Sequence, residues 1–191
     1  MRLGIFGGTF DPPHVGHLLV ASDACEALGL DRLVWIPAGA PPFKTASVSA
    51  TSEQRLEMVR RMVNGDPRFE VDPLEIERAG LSYTVDTLEA YADRFRGSAR
   101  FLLIGEDLLG QVRLWRDPMR VAELAELVVL ARPGAPPHAE PPSGFALRRL
   151  ETRRVDVSST EIRSRVRDGR PIRGFVADSV ADFIHGAGLY R

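Results

Sequence analysis

The sequence predicts an α/β fold: a single domain on a doubly wound, mostly parallel sheet with helices on both faces. Three observations carry this. Short apolar runs of buried-strand type alternate along the chain with segments of helical period. The 191 residues suffice for one substantial core and are too few for two independent ones. The composition, 44% hydrophobic and 27% charged, excludes disorder over most of the chain.

In chain order, Leu3 to Phe6 reads as a buried strand. Val15, Leu18, Cys25 and Leu28 then recur at helical spacing, and Gly29 ends that helix. Leu33 to Ile36 is a second strand, stopped by Pro37, and Ala38 to Ser49 is a loop of Pro, Gly, Ser and Ala. Thr51-Ser-Glu-Gln54 is a capping box for a helix with an apolar stripe of Leu56, Val59, Met62 and Val63, closed by Asn64-Gly65. Phe69 to Val71 is a weaker strand, and Val85, Leu88, Tyr91 and Phe95 mark the next helix. Phe101 to Ile104 is a strand ending in Gly105; a helix near Met119 to Ala125 leads into strand Leu127 to Leu130. Pro133 to Gly144 holds five prolines and two glycines and reads as an exposed loop or flexible connector. A polar strand around Ala146 to Leu150 follows. Ser158-Ser-Thr-Glu161 is a second capping box, opening a helix that Gly169 ends, and a last helix carries Val180, Phe183 and Ile184. No internal repeat or domain boundary interrupts this series. In such sheets ligands sit at the carboxyl ends of the strands where strand order reverses, so the loops after Phe6, Ile36 and Ile104 are expected to form the site.

Charge and targeting patterns narrow the function. With 25 basic and 26 acidic residues the net charge is −1, so no bulk positive field draws in nucleic acid or an anionic membrane. Any anion site must be built from a few placed donors. Cys25 is the single cysteine, reads as a small core side chain, and excludes an intrachain disulfide. No secretory leader or membrane-spanning run is read from the sequence, so a cytoplasmic protein is expected.

The segment Gly7-Gly-Thr-Phe-Asp-Pro-Pro-His-Val-Gly-His17 joins the first strand to the first helix. Its glycines let backbone approach a ligand, and N–H groups in such a turn suit phosphate oxygens. His14 and His17, three apart at a helix start, project from one face into a region of partial positive charge. The His pair lacks the spacing and glutamate of a zinc-protease helix, and no further His or Cys completes a metal shell. Neither a Walker-type loop nor Gly-x-Gly-x-x-Gly is present. Far along the chain, Val157-Ser-Ser-Thr-Glu-Ile-Arg163 offers a hydroxyl-rich helix cap with an arginine one turn inside, suited to fork around phosphate oxygens.

Together these two segments resemble the Gly-x-Phe-Asp-Pro-x-His-x-Gly-His and Ile-Ser-Ser-Thr-x-Ile-Arg motifs of the nucleotidyltransferase superfamily, whose fold is Rossmann-like. His14-Val-Gly-His17 is also similar to the HIGH motif of class I aminoacyl-tRNA synthetases, but the KMSKS-like loop and tRNA-binding domain of that class are absent. Ser82-Tyr-Thr84, Ile104-Gly-Glu-Asp107 followed by Leu114-Trp115, Pro41-Pro-Phe-Lys44 and the final Gly188-Leu-Tyr-Arg191 resemble bacterial nicotinate mononucleotide adenylyltransferases over essentially the full length. The proline-rich stretch between Arg132 and Gly144 departs from that pattern.

The resemblance implies transfer of the adenylyl group of ATP to nicotinate mononucleotide, giving nicotinate adenine dinucleotide and pyrophosphate. The alternatives are the nicotinamide mononucleotide and phosphopantetheine enzymes of the superfamily and, in a different class, a non-catalytic nucleotide-binding module. It implies that His14, His17 and Arg163 act on the ATP phosphates, that Ser159 and Thr160 hold the β- and γ-phosphates with Arg163, and that Gly7, Gly8, Thr9, Phe10, Gly105 and Asp107 complete the ATP site. Asp11 is expected to orient a histidine or a loop N–H. The mononucleotide would meet Thr9, Phe10, Lys44, Tyr83 and Thr84, with Trp115 stacked on the pyridine. Mg²⁺ would come with ATP. The implied partners are these two small molecules, with neither nucleic acid nor membrane; a homo-oligomer stays open.

Overall fold

In the computed structural model, which describes residues 1–40, 48–78, 80–131 and 144–191, six strands form one all-parallel sheet. The strands are β1 (Arg2–Gly8), β2 (Arg32–Pro37), β3 (Phe69–Val71), β4 (Ala99–Gly105), β5 (Glu126–Ala131) and β6 (Leu147–Glu151), in spatial order β3-β2-β1-β4-β5-β6. The helices are α1 (Val15–Leu28), α2 (Ser52–Val63), α3 (Leu74–Glu77), α4 (Thr84–Arg94), α5 (Glu106–Leu109), α6 (Pro118–Leu124), α7 (Ser159–Arg167) and α8 (Asp178–Gly186), with a 3-10 turn at Val112–Leu114. This is the doubly wound, Rossmann-like architecture expected of the alternation. The proline-rich loop from 133, except Gly144, and Lys44 lie outside the described residues.

The four inner strands, β2, β1, β4 and β5, are apolar on both faces, as strands covered on both sides must be. Along β2, Leu33 and Trp35 enter one core while Val34 and Ile36 enter the other; β4 divides Phe101 and Leu103 from Leu102 and Ile104 in the same way. The first core is closed by residues of α1, α2, α7 and α8, the second by residues of α4 and α6. Cys25 is buried in the first core, and burial pushes its thiol up to about 11, consistent with an inert packing side chain.

The termini follow the chemistry read from sequence. Thr51 Oγ1 accepts from Gln54 N at 3.3 Å and Gln54 Oε1 accepts from Thr51 N at 2.9 Å, a complete capping box. Ser158 forms half of the second: its Oγ accepts from Glu161 N at 3.1 Å, while the Glu161 carboxylate lies 4.0 Å from Arg165. β6 is the half-exposed edge strand Leu147–Glu151, one residue later than expected. The short helices α3 and α5 and the 3-10 turn were not expected, because three or four residues carry no readable period. No helix among the described residues is long and apolar enough to cross a membrane.

Strand order reverses between β1 and β4. Their carboxyl ends lie side by side, with Phe6 opposite Leu103 and, across β2, Gly8 opposite Pro37. The loop Thr9 to His14 and the start of α1 therefore emerge where an open sheet presents its crevice.

Candidate active site

Two cavities open at that reversal and share a wall made of Gly7, Gly8, Thr9 and Leu108. The larger, about 600 Å³, runs over the starts of α1 and α7; every residue expected to touch ATP lines it, including Gly7, His14, His17, Asp107, Thr160 and Arg163. The smaller, about 190 Å³, lies across the wall above the start of α4, lined by Tyr83, Thr84 and Trp115 over an apolar floor that includes Ile5, Ile36 and Leu88. The two phosphate motifs, about 150 residues apart in sequence, thus face one cleft, and the expected pyridine residues face its neighbour.

The histidines stack, with ring centroids 3.7 Å apart at 31°. The backbone N–H of His14 donates to His17 Nδ1 at 3.2 Å. That bond needs the Nδ1 lone pair, so neutral His17 carries its proton on Nε2 and offers a fixed N–H to the cleft. His14 is 8% exposed, and its Nδ1 is buried with no partner among the described residues. Gly16 is what permits this packing: a Cβ there would stand 2.9 Å from His14 Nδ1. The glycine of the His-x-Gly-His segment thus makes room for the first imidazole. Gly8 has a similar cause, since its Cβ would meet the Phe10 ring at 2.7 Å.

Burial lowers His14 to about 4, and burial together with the neighbouring His14 charge lowers His17 well below the ordinary imidazole range. The folded chain keeps both rings neutral at pH values where the unfolded chain takes up protons. Stability is therefore expected to be fully present above the ordinary value of 6.5 and to fall as pH drops towards 4, by up to about 1.4 kcal/mol per pH unit for each group. Glu75, whose carboxyl burial raises, opposes this trend, so the comparison is made against His14→Gln. Urea titrations near pH 7.5 and 5.5 should give that variant a shallower loss; equal losses in the two chains would place the linkage on other groups.

Asp11 is 3% exposed and fully engaged. Its carboxylate accepts from Ser49 N at 2.7 Å, Ala50 N at 3.1 Å and Tyr190 Oη at 2.7 Å. It therefore orients a loop N–H, one of the two roles expected of it. Its carbonyl accepts from Arg163 Nη1 at 2.8 Å, and Ser159 Oγ donates to the Pro12 carbonyl at 2.8 Å. These two bonds tie α7 to the first motif. They also commit the Ser159 hydroxyl proton to the protein, leaving its backbone N–H at the helix start for an anion.

The Phe10 ring is buried in the first core with its backbone at φ 51, so only its main chain can serve a ligand in the cleft it lines. Trp115 is half-buried, packed against the second core and facing the small cavity, so it is both wall and structural residue. Tyr83 caps α4 without a side-chain bond, leaving the first N–H groups of that helix for an anion.

Four residues at the site were not expected. Arg116 stacks its guanidinium 4.9 Å over Tyr83 and approaches Asp86 at 3.6 Å; it follows Trp115 directly. Glu75 accepts from Thr87 Oγ1 at 2.8 Å on the cavity floor. Tyr190 reaches Asp11 across 179 positions, a contact no local pattern announces. Arg55 is 2% exposed and bonds the carbonyls of Thr9 and Gly39. A signal for it existed, because Arg55, Val59, Met62 and Val63 fall at helical spacing on the buried face of α2.

Comparison with known proteins gives a consistent picture. The cytidylyltransferase-like family model matches residues 5–165. A probable nicotinate-nucleotide adenylyltransferase of Gemmatimonas aurantiaca is 53% identical, covering 100% of this chain and 93% of that protein. One from Thermus thermophilus is 44% identical, covering 100% of both. Among solved structures, a Plasmodium falciparum nicotinic acid mononucleotide adenylyltransferase complexed with NaAD aligns with TM-score 0.79 at 16% identity, covering 99% of this chain and 97% of that one. A putative nicotinate-nucleotide adenylyltransferase from Vibrio parahaemolyticus aligns at 0.71 and 19% identity, covering 100% and 96%. At those identities the structural likeness speaks for the fold.

Proposed function

Because the chain belongs to the nicotinate-nucleotide adenylyltransferases of the cytidylyltransferase-like family, we propose that its two joined cavities bring ATP and nicotinate mononucleotide together for adenylyl transfer. The protein is a nucleotidyltransferase of NAD biosynthesis: it forms nicotinate adenine dinucleotide and releases pyrophosphate. The observation that carries this reading is the shared wall at Gly7, Gly8 and Thr9, with a phosphate cleft on one side and an aromatic pocket on the other.

The chemistry asks little of a general base. The 5′-phosphate of the acceptor is mostly ionised near neutral pH, with a second pKa near ~6 as for phosphate esters. Its oxygen attacks the α-phosphorus in line while the bond to the β-phosphate oxygen breaks. The obstacle is repulsion between two polyanions and the charge that moves onto pyrophosphate, so positioning and preorganised donors supply the catalysis. His17 Nε2–H and the His14 ring face the ATP phosphates. Arg163, Thr160 and the first N–H groups of α7 hold the β- and γ-phosphates, and Mg²⁺ enters as part of the ATP substrate, held by phosphate and water. Gly105 and Asp107 border the nucleoside side of the cleft. The free N–H groups at the start of α4 suit the pyridine carboxylate, and the indole of Trp115 suits the ring. A cytoplasmic location accompanies this reading.

Pyrophosphate release with ATP and a panel of acceptors tests it: turnover is expected with nicotinate mononucleotide and far less with the nicotinamide form or phosphopantetheine. No release with any pyridine mononucleotide would defeat the proposal. In the same assay Trp115→Ala should raise KM for the mononucleotide about tenfold, the scale of one base–aromatic stack, with KM for ATP little changed. An unaltered mononucleotide KM would make the indole purely structural.

A further inference from the structure

Arg55 sits within α2 behind the wall between the cavities, 2% exposed. Its Nη1 donates to the Thr9 carbonyl at 2.8 Å and its Nη2 to the Gly39 carbonyl at 3.2 Å. One side chain thereby joins the loop after β1 to the loop after β2. Its hydrogen bonds go to two carbonyls rather than to a carboxylate, with the Asp11 and Glu75 carboxylates acting on it only through space, and its Nε is buried with no partner among the described residues. A structural fork alone does not require a buried cation at this point.

The peptide geometry suggests what the charge does. In a planar trans peptide the carbonyl and the following N–H point in opposite directions. At Gly39 this is visible: the carbonyl faces Arg55 and the next N–H, of Ala40, donates to Ser82 Oγ at 3.3 Å. At Thr9 the carbonyl faces Arg55, while the next N–H, of Phe10, has no acceptor among the described residues and belongs to a residue lining the large cleft. A cation on the carbonyl side polarises a peptide and strengthens its N–H as a donor, more so where little water screens it.

We propose that Arg55 is a positioning residue for adenylyl transfer, which fixes the Thr9–Phe10 peptide from behind and aims a strengthened Phe10 N–H at a phosphate oxygen where the two cavities join. The inference rests on the adenylyltransferase reading above. Pyrophosphate release by the unaltered chain tests that reading separately, and the variants are compared only against an active parent.

The test uses Arg55→Lys, Arg55→Gln and Arg55→Met in the full chain, with thermal unfolding and steady-state kinetics for both substrates. The neutral variants are expected to lose roughly 10²-fold in kcat, the scale of one preorganised donor, with each KM within about threefold. Arg55→Lys keeps the charge without the fork and should retain about a tenth of the parent kcat or more. A folded Arg55→Gln or Arg55→Met chain with kcat within about threefold of the parent overturns the proposal. So does an Arg55→Lys chain no more active than Arg55→Gln, since loss of shape alone would then explain the effect. If neither neutral chain folds, Arg55→Lys decides: a kcat below about a hundredth of the parent, at unchanged melting temperature, overturns it.

Discussion

His17→Ala is expected to lose at least ~10²–10³ in kcat while remaining folded, the cost of removing one preorganised donor to developing charge. The ring is half-buried at the helix start, and its ring contacts are the His14 imidazole at 3.7 Å, an edge contact to Phe10 and a tilted one to Phe6, with centroids 5.2 and 6.3 Å away. Their loss costs packing, not the fold. What disappears is the Nε2–H whose tautomer the His14 backbone sets through the 3.2 Å bond. His14→Ala should be milder, because the Nδ1 of that ring has no partner among the described residues to fix its proton. Circular dichroism and pyrophosphate release check the pair; near-normal turnover in His17→Ala refutes the assignment.

Arg163→Ala should rank second, lowering kcat/KM for ATP by about 10²-fold, with Arg163→Lys recovering only part because an ammonium lacks the fork. Arg163 has two duties that must be separated. Its Nη1 holds the Asp11 carbonyl at 2.8 Å, so it docks α7 as well as supplying charge, while its Nη2 reaches Thr160 Oγ1 within the same helix at 3.3 Å. Ser159→Ala removes the neighbouring tie to Pro12 and leaves the guanidinium in place. A Ser159→Ala chain as impaired as Arg163→Ala would mean that docking, not charge, is what the arginine provides.

The inner strands are readable in sequence because they are buried on both faces: runs such as Leu33 to Ile36 and Phe101 to Ile104 have no polar alternation to blur them. The cleft was readable because phosphate chemistry writes itself locally, in a glycine turn before a helix and a hydroxyl cap before an arginine. Asp11 is legible in its motif but its partners, Ser49, Ala50 and Tyr190, are not. Arg55 is not legible as a site residue, because a charged side chain beside an apolar stripe reads as solvent-facing, and only the fold puts carbonyls from two strand ends within its reach. The second helix cap shows the limit of a motif: Ser158 does its part, and Glu161 lies nearer to Arg165 than the pattern expects.

The wall common to the two cavities has a consequence for inhibition. A single molecule with a flat heteroaromatic acid at one end and a nucleoside polyphosphate at the other can straddle Gly7 to Thr9 and fill both chambers. Once one end is seated, a short tether presents the other at a local concentration in the millimolar range, so avidity can exceed either half alone by about 10²–10⁴ without any new contact. Tether length then becomes the design variable, and the span across those three residues sets its optimum.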